Sequence, residues 1–334
     1  MNFSGRPLID TASDSRLYAP RREHRVLKKS AEQRLNVLLT GSRGSGKTTL
    51  LRQVLLDLRN DDRLAVFVDG KLATDAFSLL ELIRFQLGEA PNLPQALRER
   101  YSQIFTPRPN LGEASALLDL IDSMRSPQEE PDQTTLLVDG LPSPDVAHAL
   151  FGRLRDELWQ LPFSWIIAAD ERERAALMEP PADAFFDRQI NLGPMTHQEL
   201  LSLLERRVSL TNRNGLESLI EASEGNPRLL LALARDAFEG GHGIDDLLAN
   251  RVWRETAASS LSRPASMLLA ELENMGSASA SDEELLKRLE WTRPRATQVF
   301  RELEEAGLVT SREVKGHGGR PRKVYQPSCG GPVE

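Results

Sequence analysis

The chain has 334 residues, more than one hydrophobic core usually organises, so two or three domains are expected. Its 42 basic and 49 acidic residues leave a net charge of -7, and 40% of residues are hydrophobic. That is the composition of an ordinary globular protein and not of a chain coated in positive charge, although local basic patches stay open. The single cysteine, Cys329, cannot form an internal disulfide, so a reducing cytoplasm is the expected location. The N-terminal stretch MNFSGRPLIDTASDSR lacks the apolar core of a signal peptide. No run approaches the ~18 apolar residues of a membrane span, so no membrane association is expected.

Residues 1–34 are polar and in places basic (Arg16, Arg21, Arg22, Arg25, Lys28, Lys29), which predicts a solvated lead-in helix. Leu35–Thr40 is a short apolar run that reads as a buried parallel strand. From Thr48 to Arg59, Leu50, Leu51, Val54, Leu55 and Leu58 recur at helical spacing. Further strands are expected at Leu64–Val68, Leu136–Val138, Trp165–Ala169 and Gln189–Leu192, with helices at Ala76–Leu87 and Val146–Leu158. Residues 105–111 and 125–134 are rich in breakers and read as surface connections. Strands alternating with helices predict an α/β fold with a parallel sheet. After Pro194 the pattern turns helical. Thr196 with Glu199 has capping-box spacing, residues 223–227 form a break, and Arg228–Phe238 is helical again. The expected organisation is a nucleotide-binding domain over 1–194, a helical lid over 195–260, a third domain over 261–328 and a flexible tail over 329–334.

Between the first strand and its helix lies Gly41-Ser42-Arg43-Gly44-Ser45-Gly46-Lys47-Thr48, a full GxxxxGK[ST] P-loop in the context that motif requires. Glycines let backbone N–H groups turn toward a phosphate chain, and the helix that follows aims its positive end at the same anion. Residues 41–48, with Thr49, are therefore the expected nucleotide-binding residues. Lys47 is expected to reach the β- and γ-phosphates and Thr48 to ligate Mg²⁺. A second carboxylate should organise the metal from the end of a neighbouring strand. Two runs end in Val-Asp-Gly, at Asp69 and at Asp139. The first strand after a P-loop helix is usually remote in such sheets, which favours Asp139 and leaves Asp69 as the alternative.

The order of P-loop, aspartate-terminated strand, polar strand end and Gly-x-Pro-Arg in a helical segment resembles that of AAA+ ATPases. The resemblance extends to their origin-recognition/initiator group and the related STAND signalling NTPases, and it spans roughly residues 16–245. Tyr18-Ala-Pro-Arg21-Arg22-Glu23 resembles the short segment these proteins carry near the nucleotide base. The resemblance implies ATP as ligand, Asp139 as the Walker B aspartate and Asp170 at the sensor-1 position. It also implies Arg228 of Gly225-Asn226-Pro227-Arg228 as sensor 2, and Arg188 as an arginine finger given to a neighbouring subunit, with Arg172 and Arg174 as alternatives. The chain departs from the pattern at Gly140, where many relatives carry a glutamate that polarises the attacking water. Slow hydrolysis is the consequence, or a base supplied from elsewhere such as Glu171.

Beyond residue 261 a helix over 262–275 is expected. A second helix is capped by Ser281 and runs to Leu289, and a third is capped by Thr292 and ends near Gly307. Strands at Leu308–Glu313 and Lys323–Gln326 complete a winged helix-turn-helix, and GGRPRKVYQ resembles the wing of bacterial transcription regulators. With Ala296, Val299, Phe300 and Leu303 facing inward, Arg293, Arg295, Thr297, Gln298 and Arg301 form the outward face a recognition helix offers to base edges. Arg312, Lys315, Arg320, Arg322 and Lys323 give the hairpin a basic tip suited to phosphates. Against this, residues 261–334 hold 11 basic and 11 acidic side chains. The function expected is that of an ATPase, slow in turnover, whose nucleotide state controls binding to double-stranded DNA and self-association into oligomers. The alternatives are a STAND-like signalling or defence ATPase whose winged helix contacts a protein partner, and a helper ATPase for a recombinase or transposase.

Overall fold

A computed structural model describes residues 3, 5–9, 12–106, 112–125, 133–207, 216–239, 261–275, 277–314 and 322–327. The chain divides into two compact units, Met1–Arg235 and Asp236–Glu334.

In the first unit the described residues form one five-stranded sheet: β1 Val37–Gly41, β2 Ala65–Val68, β3 Thr134–Asp139, β4 Phe163–Asp170 and β5 Arg188–Leu192. All four pairings are parallel and the spatial order is β2-β3-β4-β1-β5. Parallel neighbours need crossover connections, and helices supply them on both faces. The side chains divide between those faces with period two. Val37, Leu39, Ala65, Phe67, Leu137, Ile166 and Ala168 enter one core, packed under Leu50, Leu51, Val54, Leu55 and Leu58 of the helix Lys47–Asn60. Leu38, Val66, Val68, Leu136, Val138, Trp165 and Ile167 enter the other, under the helices Ala76–Glu89 and Glu113–Met124. Burial on both faces explains why these strands read as continuous apolar runs.

Several expectations change. The strands beside the P-loop strand are β4 and β5, not the one bearing Asp139, and β3 lies one place further out. The lead-in helix, Arg22–Glu32, is packed and not solvated: Glu23, Leu27, Ser30 and Ala31 form a buried face with helical spacing. The segment 144–158 is not one regular helix. It runs as Pro144–Ala147, a wider π turn His148–Arg153, and Arg155–Leu158, with the Leu154 N–H bonded five residues back to Ala149. Helices Gln95–Ser102 and Glu113–Met124 were not expected. Thr196 and Glu199 do form the reciprocal capping box at the start of His197–Glu205.

In the second unit the described helices are Arg263–Met275, Glu283–Leu289 and Arg293–Glu305. They are followed by the antiparallel strands β6 Val309–Val314 and β7 Arg322–Pro327. Ala278 bridges to Tyr325 as a further short pairing. Leu268, Leu272, Leu285, Val299, Phe300 and Leu303 fill the core, and the Phe300 and Tyr325 rings stack at 4.1 Å. The second helix is capped by Asp282 and not by Ser281, its carboxylate accepting from the Glu284 N–H. Thr292 precedes the third helix with extended backbone, but its hydroxyl makes no capping bond.

Candidate functional site

The P-loop leaves β1 at the C-terminal edge of the sheet and enters the helix Lys47–Asn60, so that helix points its N-terminus into the loop. Gly44 and Gly46 hold φ of +86° and +98°, a conformation side chains rarely adopt. A Cβ on Gly44 would also stand 2.8 Å from Asn226 Oδ1. The Lys47 ammonium donates to the carbonyls of Gly41 (2.7 Å) and Ser42 (3.1 Å). Burial pulls its pKa below the ordinary lysine value, with Asp170 and Asp139 acting in the opposite direction.

The Thr48 hydroxyl donates to Asp139 Oδ2 at 2.8 Å, across the end of the intervening β4. Asp139 is held there because the Gly140 N–H donates to the Ala168 carbonyl at 2.8 Å. Asp69 does not join the site, since its carboxylate instead accepts from the Lys71 N–H. The two Val-Asp-Gly runs nevertheless lie side by side, because β2 and β3 pair with Val68 opposite Val138. That register brings Lys71 to Asp139, with ammonium and carboxylate 2.6 Å apart.

Around these groups lies a cavity of about 490 Å³. Arg43, Gly44, Ser45, Gly46, Lys47, Thr48 and Thr49 line it, with Asp139, Asp170 and Arg228. Gly41 and Ser42 do not line it, and contribute their carbonyls to Lys47. Thr49 lines the cavity and its hydroxyl also accepts from the Leu8 N–H at 3.4 Å. Asp170 ends β4 opposite Gly41 and caps the turn that follows, accepting from both the backbone and the side chain of Arg172 at 3.1 Å. These bonds hold its carboxyl below the ordinary aspartate value. Glu173, not Glu171, is the neighbouring acid that lines the cavity.

The N-terminal segment closes one wall. Arg21, buried, donates to the carbonyls of Ser45 (2.9 Å) and Gly193 (2.6 Å), tying the P-loop to the chain after β5. Leu8, Tyr18 and Ala19 supply apolar lining, and burial pushes the Tyr18 phenol well above its ordinary value. Arg207 donates to the Leu17 carbonyl, and its pKa is pulled down to about 10 by burial. The helix Pro227–Glu239 closes the opposite wall. Asn226 accepts from the N–H groups of Arg228 and Leu229 while its amide donates to the Arg43 carbonyl at 3.1 Å.

None of the arginines expected as fingers lines the cavity of its own chain. Arg188 begins β5 opposite Val37, about 13 Å of strand from Gly41. Its guanidinium donates to Ser30 Oγ at 2.9 Å. Arg172 pairs with Asp170, and Arg174 reaches Gln189.

In the second unit Arg293, Arg295, Thr297, Gln298 and Arg301 are exposed on one helix face. Within that face the Thr297 hydroxyl donates to the Arg293 carbonyl, and Arg295 lies 5.2 Å from the Trp291 ring. Arg312 and Arg322 are exposed on the hairpin. Lys323 is not a free cation: it pairs with Glu304 at 2.7 Å. Lys315 and Arg320 lie outside the described residues, as does Cys329.

The donor set suits Mg²⁺. It offers one hydroxyl and one carboxylate, both hard oxygen ligands, 2.8 Å apart and beside the loop that would cradle phosphates. Among the described residues no group of three His, Cys, Asp or Glu side chains could hold a metal alone. Phosphate and water oxygens would therefore complete the shell. Among those residues no helix is long and apolar enough to cross a membrane.

Comparison with known proteins agrees with this geometry. The family model described as the CobW/HypB/UreG nucleotide-binding domain matches residues 35–76, which cover β1, the P-loop, its helix, β2 and the turn beyond. No curated protein matches the chain. The ORC1 protein of Aeropyrum pernix, solved in complex with DNA, is 16% identical over 95% of this chain and 92% of its own, with a TM-score of 0.50. Cdc6p of Pyrobaculum aerophilum is 16% identical over 94% and 93%, with a TM-score of 0.49. The A. pernix ORC2 protein, solved as ADPNP–ADP complexes, is 18% identical over 93% and 90%, with a TM-score of 0.48. With the sheet order, the first of these identifies the P-loop AAA+ NTPase fold.

Proposed function

We propose that the chain is an ATP-binding AAA+ ATPase of slow turnover whose nucleotide state controls DNA engagement and self-assembly. In this reading the helices after residue 194 act as the lid and residues 261–328 as a winged helix. The observation that carries it is the Thr48–Asp139 pair, set in a cavity closed on one side by the P-loop and on another by Arg228. The triphosphate lies along the N–H groups of the loop, at the positive end of the helix Lys47–Asn60. Lys47 leaves the carbonyls of Gly41 and Ser42 for the β- and γ-phosphates. Thr48 and Asp139 would hold Mg²⁺, which when bound would supply charge neutralisation at the phosphate oxygens. Arg228, at a helix start on the cavity wall, senses the γ-phosphate and couples it to the lid. Asp170 lies across from Gly41, where a polar group contacts the same phosphate or the attacking water. Gly140 offers no base, so the bound state persists, which suits a switch.

The third helix and hairpin of the second unit support the DNA reading through five exposed polar side chains on one helix face and the exposed Arg312 and Arg322. That the A. pernix ORC1 structure contains DNA agrees with it. The test is duplex binding measured across salt with ATP, ADP and no nucleotide. Affinity is expected to depend on nucleotide and to fall steeply with salt, and Arg301→Ala with Arg322→Ala should flatten the slope by about two counterions. The Lys323–Glu304 pair and the balanced charge of residues 261–334 favour a second reading, in which this unit binds protein. Nucleotide-dependent oligomers with no duplex binding would select that reading.

A further inference from the structure

We propose that Lys71 is a resident counter-cation of the metal carboxylate: it occupies the oxygen Mg²⁺ needs, so metal loading must displace it. The inference rests on the nucleotide-site reading above and adds to it a residue that sets the metal dependence of the site. Asp139 Oδ2 accepts both the Thr48 hydroxyl, at 2.8 Å, and the Lys71 ammonium, at 2.6 Å. The Asp139 side chain is only 5% exposed, so without metal it needs a neutralising charge. Lys71 supplies that charge from a side chain that is itself 58% exposed and free to swing away.

The contact is built into the backbone. The register of β2 on β3 sets Gly70 against Gly140 so closely that a Cβ on Gly70 would stand 2.1 Å from the Gly140 carbonyl oxygen. The Lys71 stem then crosses over Gly140. A Cβ there would lie 2.8 Å from its Cγ and 2.9 Å from its Cε. Position 140, where a glutamate would present an anion, is thus the groove that seats a cation. Mg²⁺ binds oxygens at roughly 2.0–2.1 Å in an octahedral shell, and an ammonium on the same oxygen would repel it. The two cations therefore exchange.

The test uses the full chain with a fluorescent ADP analogue bound, titrated with Mg²⁺. Lys71→Ala and Lys71→Gln are expected to lower the Mg²⁺ midpoint about fivefold, the scale of a partly exposed ion pair. Adding Lys71→Ala to Asp139→Asn should change nothing further. Lys71→Gln keeps most of the stem, so a packing defect confined to Lys71→Ala would be separated from the charge effect. A midpoint that is unchanged or raised in both variants, with analogue binding intact, overturns the proposal. Failure of the unsubstituted chain to bind the analogue at any Mg²⁺ concentration overturns the nucleotide-site reading as well.

Discussion

Gly140 follows Asp139 at the end of β3, and the structure ties its identity to backbone and packing. Its φ is +86°, and a side chain there would overlap the Lys71 stem. Gly140→Ala should therefore cost roughly 1 kcal/mol for the left-handed backbone. Moving Lys71 off Asp139 should add up to about 1 kcal/mol, discounted because the lysine is more than half exposed. A total of about 2 kcal/mol follows, read as a lowered urea midpoint at constant slope. In the Lys71→Ala background the overlap is gone and only the backbone part remains, so the same substitution should cost about half as much there. By the same geometry Gly140→Glu should destabilise the site and not accelerate hydrolysis. Unchanged stability in Gly140→Ala, or an equal cost with and without Lys71, would mean that the Lys71 stem does not constrain position 140.

Gly70→Ala should be more damaging than Gly140→Ala, since its Cβ would meet a backbone carbonyl at 2.1 Å that cannot swing away; expression and melting of the two variants compare them directly. Asn226→Ala should cost about 1–2 kcal/mol in urea denaturation, because it removes the cap on Arg228 and Leu229 together with the bond to Arg43. Asp14 accepts from the Ile9 N–H and from Arg6, which hold its pKa below the ordinary 3.8. A depressed carboxylate stabilises fully above its unfolded value and loses that contribution as pH falls through the folded one. The stability gap between the unsubstituted chain and Asp14→Asn should thus be constant near neutral pH and close below about pH 4 in pH-resolved melting.

Much of this site could be read from residue order. The P-loop declares itself because a phosphate cradle needs glycines, a lysine and a hydroxyl at fixed spacing, and strands buried on both faces appear as plain apolar runs. Asp139 was legible from its place after such a run, but the presence of β4 between β3 and β1 was not, since strand order is set by crossovers. Helix Glu113–Met124 did carry a signal, in Leu117, Leu120, Ile121 and Met124 at helical spacing between two breaker-rich stretches. The packing of the N-terminal segment had little, because Arg21 and Glu23 are buried through polar bonds and not by hydrophobicity. Lys71 left only the repeated Val-Asp-Gly as a trace, and its meaning depends on a strand register that pattern alone does not fix. The cap at Asp282 in place of Ser281 is a one-residue shift between two residues that can both cap.

The cavity beside Arg43–Thr48 is proposed to bind a nucleoside triphosphate through Lys47, Thr48 and Asp139. Titration calorimetry of ATP into the full chain with Mg²⁺, beside Lys47→Ala, tests it most directly. One saturable site is expected in the unsubstituted chain and no detectable binding in the variant. Equal binding by the two proteins, or none by either, would contradict it.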